Sequence, residues 1–211
     1  YANRSLSEKE LSTALQLMET QRQMMLMYTS CGWFFDELSG IETVQVMQYA
    51  ARAIQLAELS LGVSLERQFI TRLRVAKSNI PNNRDGEIIY DKYVKPAKVD
   101  LIRVGAHYAV TSLFRPEATH EHIYGFSVKK QDWQLLESGL PRLAVGRALV
   151  ISDITLEKQK VTFGVLHLGD HNLTAGVRGT ISDEAFADFS RKAGEAFKAS
   201  DLPTVIRILD Q

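Results

Sequence analysis

The residues with the clearest potential for chemistry are three adjacent aromatics followed by two acids: Trp33, Phe34, Phe35, Asp36 and Glu37. No helix or strand turns three adjacent side chains to one face, so we expect at least one ring to face outward or into a cleft. A flat apolar ring beside carboxylates suits a sugar, whose C–H faces stack and whose hydroxyls need acceptors. The segment therefore indicates a carbohydrate contact. The ordinary alternative is a helix end whose aromatics fill two neighbouring cores.

Histidines and one cysteine are the other candidates for chemistry. His120 and His122 would share one face if the chain is extended there, and Asp170 and His171 could add ligands to a metal site. Histidines at the surface or in hydrogen bonds are the more common case, so we predict no metal and leave the role of these histidines open. Cys31 has apolar neighbours and no histidine near it in sequence, which argues against a thiol nucleophile. Glycine-rich phosphate loops are absent from the sequence, and no cofactor is expected.

Composition excludes several classes of protein. Among 211 residues, Lys plus Arg and Asp plus Glu both number 25, so the formal net charge is zero. A neutral chain argues against nucleic acid or an anionic membrane as the main partner. No apolar run reaches the roughly 18 residues that span a bilayer. A single cysteine fits a reducing compartment, so a cytoplasmic location is expected.

The first half of the sequence predicts helices. Ser7 and Glu10 form a capping-box pattern, and a first helix is expected from Glu8 to about Tyr28. An apolar row at helical spacing supports this helix, and its methionine-rich end, residues 24–27, is predicted to be buried on several sides. That row consists of Leu11, Leu15, Met18 and Met25.

Four further helical segments follow. The second helix is expected over residues 42–60, with a face of small residues and Gly62 as its stop. Ser64 is predicted to cap a third helix over residues 65–78. The remaining signals are a cap at Asp85 for residues 87–94, and Pro96, which opens a helix to about residue 114 or kinks a continuous one.

The second half of the sequence predicts strands and then helices. β-branched and aromatic residues predict an antiparallel meander. Its strands are expected at residues 123–128, 143–154, 161–168 and 173–177. Ser182 is predicted to cap a helix to about residue 199, and Asp201 a last helix over residues 203–209.

The predicted fold is therefore α+β. A bundle of about five helices over residues 1–116 precedes a small antiparallel sheet with C-terminal helices over residues 117–211. The two parts are expected to form one compact unit. The chain begins with Tyr1 instead of methionine, which favours a piece excised from a longer protein.

The segment that holds the aromatics resembles a known enzyme family. Residues 28–36, Tyr-Thr-Ser-Cys-Gly-Trp-Phe-Phe-Asp, and the helix over residues 39–54 are similar to the helical region that follows the catalytic barrel of family 57 glycoside hydrolases. There, a segment of the type Ser-Ser-Asp-Trp-Pro-Phe precedes a helix of the type Val-Glu-Tyr-Ala. More closely, the chain resembles the C-terminal part of a branch of that family, the DUF3536 proteins, which residues 93–108 and 167–177 also resemble.

The resemblance implies an α-glucan as substrate and a retaining mechanism, with a Glu nucleophile and an Asp acid/base on an upstream barrel. Neither catalytic residue maps onto this sequence, so the chain alone is expected to be inert. Trp33 is the residue that carries over, as a platform that stacks on a glucosyl ring, whereas Phe35 matches a packing position.

The sequence departs from the family pattern at two places. Cys31 and Gly32 replace Ser-Asp, and Phe34 replaces proline. The family's aspartate is therefore absent at this position, and Asp36 is expected to take its place as a hydrogen-bond acceptor for the sugar. The predicted substrate-binding residues are thus Trp33, Phe34 and Asp36, and the expected partners are the upstream barrel of the same chain and an oligo- or polysaccharide. The alternative is a helical protein-interaction or structural module without a carbohydrate role.

Overall fold

Helices at both ends of the chain flank a five-stranded antiparallel meander, which confirms the α+β prediction. A computed structural model describes residues 4–116 and 118–210. The helices are α1 (Glu8–Leu26), α2 (Cys31–Phe34), α3 (Ile41–Leu61), α4 (Glu66–Leu73), α5 (Gly86–Ile89), α6 (Leu101–Ser112), α7 (Asp183–Lys198) and α8 (Leu202–Leu209). The strands are β1 (His120–Ile123), β2 (Phe126–Glu137), β3 (Arg142–Ser152), β4 (Lys158–Gly169) and β5 (Asn172–Gly179).

The chain divides into two compact units, residues 1–98 and residues 99–211. The division lies before α6, whereas the sequence placed its boundary at residue 116. In the second unit α6 packs on the sheet, which accounts for its place there.

The first unit is built on the pair α1 and α3. Ser7 caps α1 by accepting a bond from the Glu10 backbone, and Glu10 Oε2 accepts the Ser7 N–H at 2.9 Å. The predicted capping box is thus confirmed. Helix α3 ends at Gly62, whose φ of 67° is the left-handed conformation that glycine adopts at low cost.

The predicted burial of the methionine-rich end of α1 is wrong. Met24 and Met25 are exposed, as are Leu11 and Met18, and the buried residues of the helix are all polar. The helical spacing was read correctly, but the polar face of α1 is the one that packs in this chain. Gln16, Glu19, Thr20 and Gln23 form that buried face.

The predicted cap of the third helix is also wrong. Helix α4 begins at Glu66, and the Ser64 side chain does not cap it. Instead Glu58 Oε1 in α3 accepts the Leu65 and Glu66 backbone N–H groups at 2.6 and 2.9 Å. A carboxylate from a neighbouring helix replaces the local cap because it reaches the same unpaired donors.

The helical segments around Pro96 differ from the prediction in one respect. Asp85 caps α5 as expected, and a π-helical segment, Tyr90–Val94, continues it. Pro96 lies in a short 3₁₀ turn and does not open α6. That helix begins after Asp100, whose Oδ1 accepts the Arg103 N–H at 2.7 Å.

The sheet of the second unit has a core on each face. In β3, Ala144 and Ala148 belong to a core with α6, whereas Leu143 and Val145 belong to a core with α7 and α8. Because successive side chains of a strand point to opposite faces of the sheet, β3 contributes residues to both cores. Ser182 and Asp201 cap α7 and α8 as predicted.

The first predicted strand, residues 123–128, is instead a hairpin. β1 and β2 meet there, with Tyr124 at a positive φ of 53° between them. β2 then runs on to Glu137, through a polar stretch and a register shift between Lys130 and Asp132 that the sequence did not suggest as strand.

Within residues 4–116 and 118–210, no helix combines the length and the hydropathy needed to cross a bilayer.

Candidate functional site

The aromatic segment forms a short connector between α1 and α3, which we define as residues 27–40 and call the aromatic connector. Its only regular structure is the single turn α2, in which the Phe34 N–H donates to Ser30 O at 2.9 Å. A single helical turn is not stable by itself, because the first turn is unfavourable to form and only the later turns add net stability. The position of the connector must therefore come from its neighbours.

Gly32 sets the position of α2 against α3. A Cβ atom on Gly32 would lie 3.1 Å from Val46 Cγ1, so the two backbones approach without a side chain between them. Thr43 Oγ1 also donates to Gly32 O, at 3.5 Å. Helix α2 thus contacts α3 through the backbone at Gly32, and the large side chains of α2 lie away from this contact.

The three aromatic side chains lie on the surface. Trp33 is 74% exposed and Phe34 is 71% exposed, and no residue of α2 is buried. Phe35 is about half exposed, and its ring meets that of Phe34 edge to face at 5.2 Å between centroids. The rings therefore do not fill neighbouring cores, which was the alternative expectation for this segment.

Glu37 anchors the connector to the loop that follows α4. Its Oε1 accepts the Ser39 N–H at 2.9 Å and the Ser78 hydroxyl at 2.7 Å, and its Oε2 accepts the Asn79 N–H at 2.8 Å. These hydrogen bonds lower the pKa of Glu37 to about 2, and the bond from the Ser78 hydroxyl has the largest effect. Because its oxygens are already occupied, Glu37 is a structural carboxylate and not an acceptor for a ligand.

A second set of bonds fixes the same two loops. The Asn79 side chain donates to the backbone oxygen of Asp36, and Asn83 Nδ2 donates to Ser39 Oγ at 2.9 Å. The Asp36 carboxylate itself is exposed, and no described residue donates a hydrogen bond to it. Of the two predicted acids, Asp36 is thus the one with acceptor capacity left.

The exposed apolar surface continues on both sides of the rings. Tyr28 lies near the start of the connector and Ile41 directly follows it, and both are more than three-quarters exposed. Exposed apolar residues scattered singly are normal, whereas several within one short segment mark a site of contact.

The histidines that were considered as metal ligands lie on β1 and in the turn after β4. His120 and His122 are side by side on β1, with ring centroids 5.2 Å apart, and His122 Nδ1 lies 3.6 Å from Asp153 Oδ2. His171 lies in the turn between β4 and β5. Among residues 4–116 and 118–210, no three or more His, Cys, Asp or Glu side chains are grouped to hold a metal ion. Cys31 is exposed.

Sequence reasoning missed a cleft in the second unit, beside the end of α6. Glu121 lines it, with one carboxylate oxygen buried and without a partner in the described chain. Burial of the Tyr108 hydroxyl raises its pKa to about 12, and the negative charge of Glu121 is the second cause. The other lining residues are His107, Thr111, Phe114, Arg115, His122, Ile123 and Tyr124. The alternation of His120, Glu121 and His122 along β1 was the available signal for an inward carboxylate.

A family described as "Domain of unknown function (DUF3536)" matches the chain over residues 1–211. No curated protein and no solved structure matches the chain.

Proposed function

The chain belongs to the DUF3536 family, and from that premise we propose that it is a non-catalytic domain of an α-glucan-active glycoside hydrolase or transferase. In this proposal the aromatic connector lines the sugar cleft of a barrel domain upstream in the same polypeptide. The motif resemblance of residues 28–36 to family 57 enzymes motivates the substrate class.

The observation that carries the proposal is the exposed indole of Trp33 close in sequence to the available carboxylate of Asp36. An indole face stacks on the C–H face of a pyranose, and a carboxylate accepts hydrogen bonds from its hydroxyls. A single ring contact contributes on the order of 1 kcal/mol. The connector therefore orients a sugar and does not hold it alone.

The support beneath the rings favours a binding role. Bonds from Ser78 and Asn79 to Glu37 tie the connector to a second loop, and Gly32 fixes α2 on α3. Side chains on a fixed backbone lose less freedom when a ligand binds, which increases affinity for a given contact.

A helical protein-interaction module is the alternative function. The exposure of Ile41 favours it, because this aliphatic side chain adds area without adding a polar group for sugar hydroxyls. A protein partner would cover the whole connector, whereas a sugar would contact the side of it that holds Trp33 and Asp36.

The indole N–H resonances of the two tryptophans test the proposal without a mutation. Trp33 is exposed, whereas the Trp133 Nε1 atom is buried, so Trp133 is an internal control in the same spectrum. In a polypeptide that carries the proposed barrel, we expect a malto-oligosaccharide at about 10 mM to shift the Trp33 resonance and to leave Trp133 unchanged. A cello-oligosaccharide of equal length is the control ligand. No shift at Trp33, or equal shifts with both sugars, contradicts the proposal.

A further inference from the structure

The cleft beside the end of α6, which we call the α6 cleft, lies entirely within the second unit. Its volume is about 480 Å³, and its walls come from α6, from the residues that follow this helix and from β1. Small-molecule sites in proteins have volumes of roughly 300–1,000 Å³ and combine apolar walls with a few polar groups. The α6 cleft has that size, so the chemistry of its walls decides which ligand it suits.

Glu121 on β1 supplies a carboxylate without a partner. Its Oε1 atom is buried and has no hydrogen bond from any described residue. The Tyr108 hydroxyl is also buried and unpaired, and the effect of Glu121 on the pKa of Tyr108 shows that the two groups are neighbours. That hydroxyl can donate one bond to the inner oxygen, which leaves the negative charge and the outer oxygen for the cleft. Buried carboxylates are normally paired, so Glu121 is unusual.

No other charged group of the α6 cleft neutralises Glu121 within residues 4–116 and 118–210. Arg115 lines the same cleft, but it forms no ion pair with Glu121 or with another described carboxylate. His122 is turned to a different acid, with its Nδ1 atom 3.6 Å from Asp153 Oδ2. The cleft therefore presents one negative and one positive group at separate points of its wall.

Phe114 provides the apolar wall. Its ring is 57% exposed, and it meets the His167 ring edge to face with 5.5 Å between centroids. Ile123 adds a half-buried aliphatic side chain to the same cleft. A ring that a neighbour already holds loses little freedom when a ligand packs against it, which increases the affinity for a given contact.

We propose that the α6 cleft binds a free amino acid with an apolar side chain. Glu121 accepts hydrogen bonds from its ammonium group, Arg115 donates to its carboxylate, and Phe114 contacts its side chain. Charge-assisted hydrogen bonds of this kind are stronger than neutral ones. A simple amine is repelled by Arg115 and a simple acid by Glu121, whereas a zwitterion satisfies both groups. Because the cleft is open to water and Arg115 is exposed, we expect a Kd of about 1 mM.

Calorimetric titration of the chain with L-leucine up to about 20 mM tests the proposal. Two analogues each lack one charged group: 3-methylbutylamine has no carboxylate, and 4-methylpentanoate has no ammonium group. We expect each analogue to bind at least about tenfold more weakly than leucine, because it loses one of the two charged contacts. A cleft that holds water alone gives no binding of leucine and overturns the proposal. An analogue that binds as tightly as leucine also overturns it.

Variants locate the binding. Glu121→Gln and Arg115→Gln should each weaken leucine binding at least about tenfold. Glu195→Gln and Arg191→Gln are the matched controls, because these residues form an exposed ion pair on α7, which packs on the other face of the sheet. Both controls should bind leucine like the unmodified chain. Equal effects of the two pairs overturn the proposal. Glu121→Gln should not lower the melting temperature, because it replaces an unpaired buried charge with a neutral group of the same shape.

Nuclear magnetic resonance separates this site from the sugar site. Leucine should shift the backbone amides of Thr111 and Phe114 and leave the Trp33 indole unchanged, because Trp33 belongs to the first unit. Trp33→Ala should bind leucine as the unmodified chain does, so the inference does not rest on the proposed function. Leucine shifts confined to Trp33 and its neighbours overturn the assignment to the α6 cleft.

Discussion

Glu37 and Asn79 are 42 positions apart in the chain, yet the Asn79 backbone N–H donates to Glu37 Oε2 at 2.8 Å. With the Ser78 hydroxyl on the other oxygen, this carboxylate joins the aromatic connector to the loop after α4. The acid that the sequence grouped with Asp36 as a possible sugar contact therefore holds the connector in place.

The first prediction is a pH dependence that Glu37→Gln removes. The pKa of Glu37 is lowered to about 2, so its contribution to stability is complete above the unfolded value of 4.5 and is lost as the pH falls from there toward 2. We expect the unmodified chain to be more stable than Glu37→Gln at pH 6, with the difference shrinking steadily below pH 4.5 as the carboxylate protonates in both states. Thermal melts of the two proteins across this range measure it.

Glu10→Gln is the control for that experiment. Arg4 and Ser7 lower the pKa of Glu10 to about 2 as well, but Glu10 caps α1 and is not part of the connector. Each variant should lose the part of the pH dependence of stability that its own carboxylate contributes, but only Glu37→Gln should also broaden or move the Trp33 indole resonance. An unchanged Trp33 resonance in Glu37→Gln would show that the bonds to Ser78 and Asn79 do not position the connector.

The second prediction follows from the proposed function and concerns Trp33 in a polypeptide that carries the proposed upstream barrel. Trp33→Ala removes one stacking contact of about 1 kcal/mol, a roughly fivefold loss in kcat/KM on an α-glucan oligosaccharide. The melting temperature should stay nearly constant, because the ring is exposed and fills no core. Tyr124→Ala is the matched control, since Tyr124 is an aromatic residue 97% exposed in the other unit. Equal turnover in the two variants, or a large loss of stability in Trp33→Ala, would favour a packing role.

The helix and strand types were largely readable from the sequence, because the signals for them are local. Ser7, Asp85, Ser182 and Asp201 each accept a backbone N–H three residues on, which is the geometry that their residue types predict. Where the cap came from another helix, as with Glu58 at α4, no local pattern could show it. The long strand β2 was missed because its polar residues near Lys130 interrupt the β-branched pattern.

The side of α1 that packs was not readable from the sequence. Periodicity reveals an apolar row, but not which element covers it, and the usual assumption that such a row faces the core is wrong for Met18 and Met25. The connector shows the same limit. The sequence singled out Trp33 and Asp36, but the role of Glu37 depends on Ser78 and Asn79, which only the fold brings near.

The third prediction is an energetic coupling between Gly32 and Val46. A Cβ on Gly32 would lie 3.1 and 3.2 Å from the two Val46 methyl groups, and a β-branched side chain has little rotamer freedom in a helix to move away. Gly32→Ala should therefore be less favourable in the native background than in a Val46→Ala background. We expect a coupling of about 0.5–1 kcal/mol in a double-mutant cycle of unfolding free energies. Additive effects of the two substitutions would mean that α2 does not rest on α3 at this point.

The last prediction reverses the usual ranking of polar and apolar substitutions on a helix. Glu19→Ala removes the acceptor of Arg22 and Gln23 on the buried face of α1 and should cost about 1–3 kcal/mol of unfolding free energy. Met25→Ala, on the exposed face, should change it by no more than about 0.5 kcal/mol. Arg22 is the main cause of the lowered pKa of Glu19, so the advantage of the native chain over Glu19→Ala should diminish as the pH falls below 4.5. Denaturant titrations of both variants at neutral and acidic pH measure these differences. A larger loss from Met25→Ala than from Glu19→Ala would place the methionine face inside and the polar face outside, contrary to the structure.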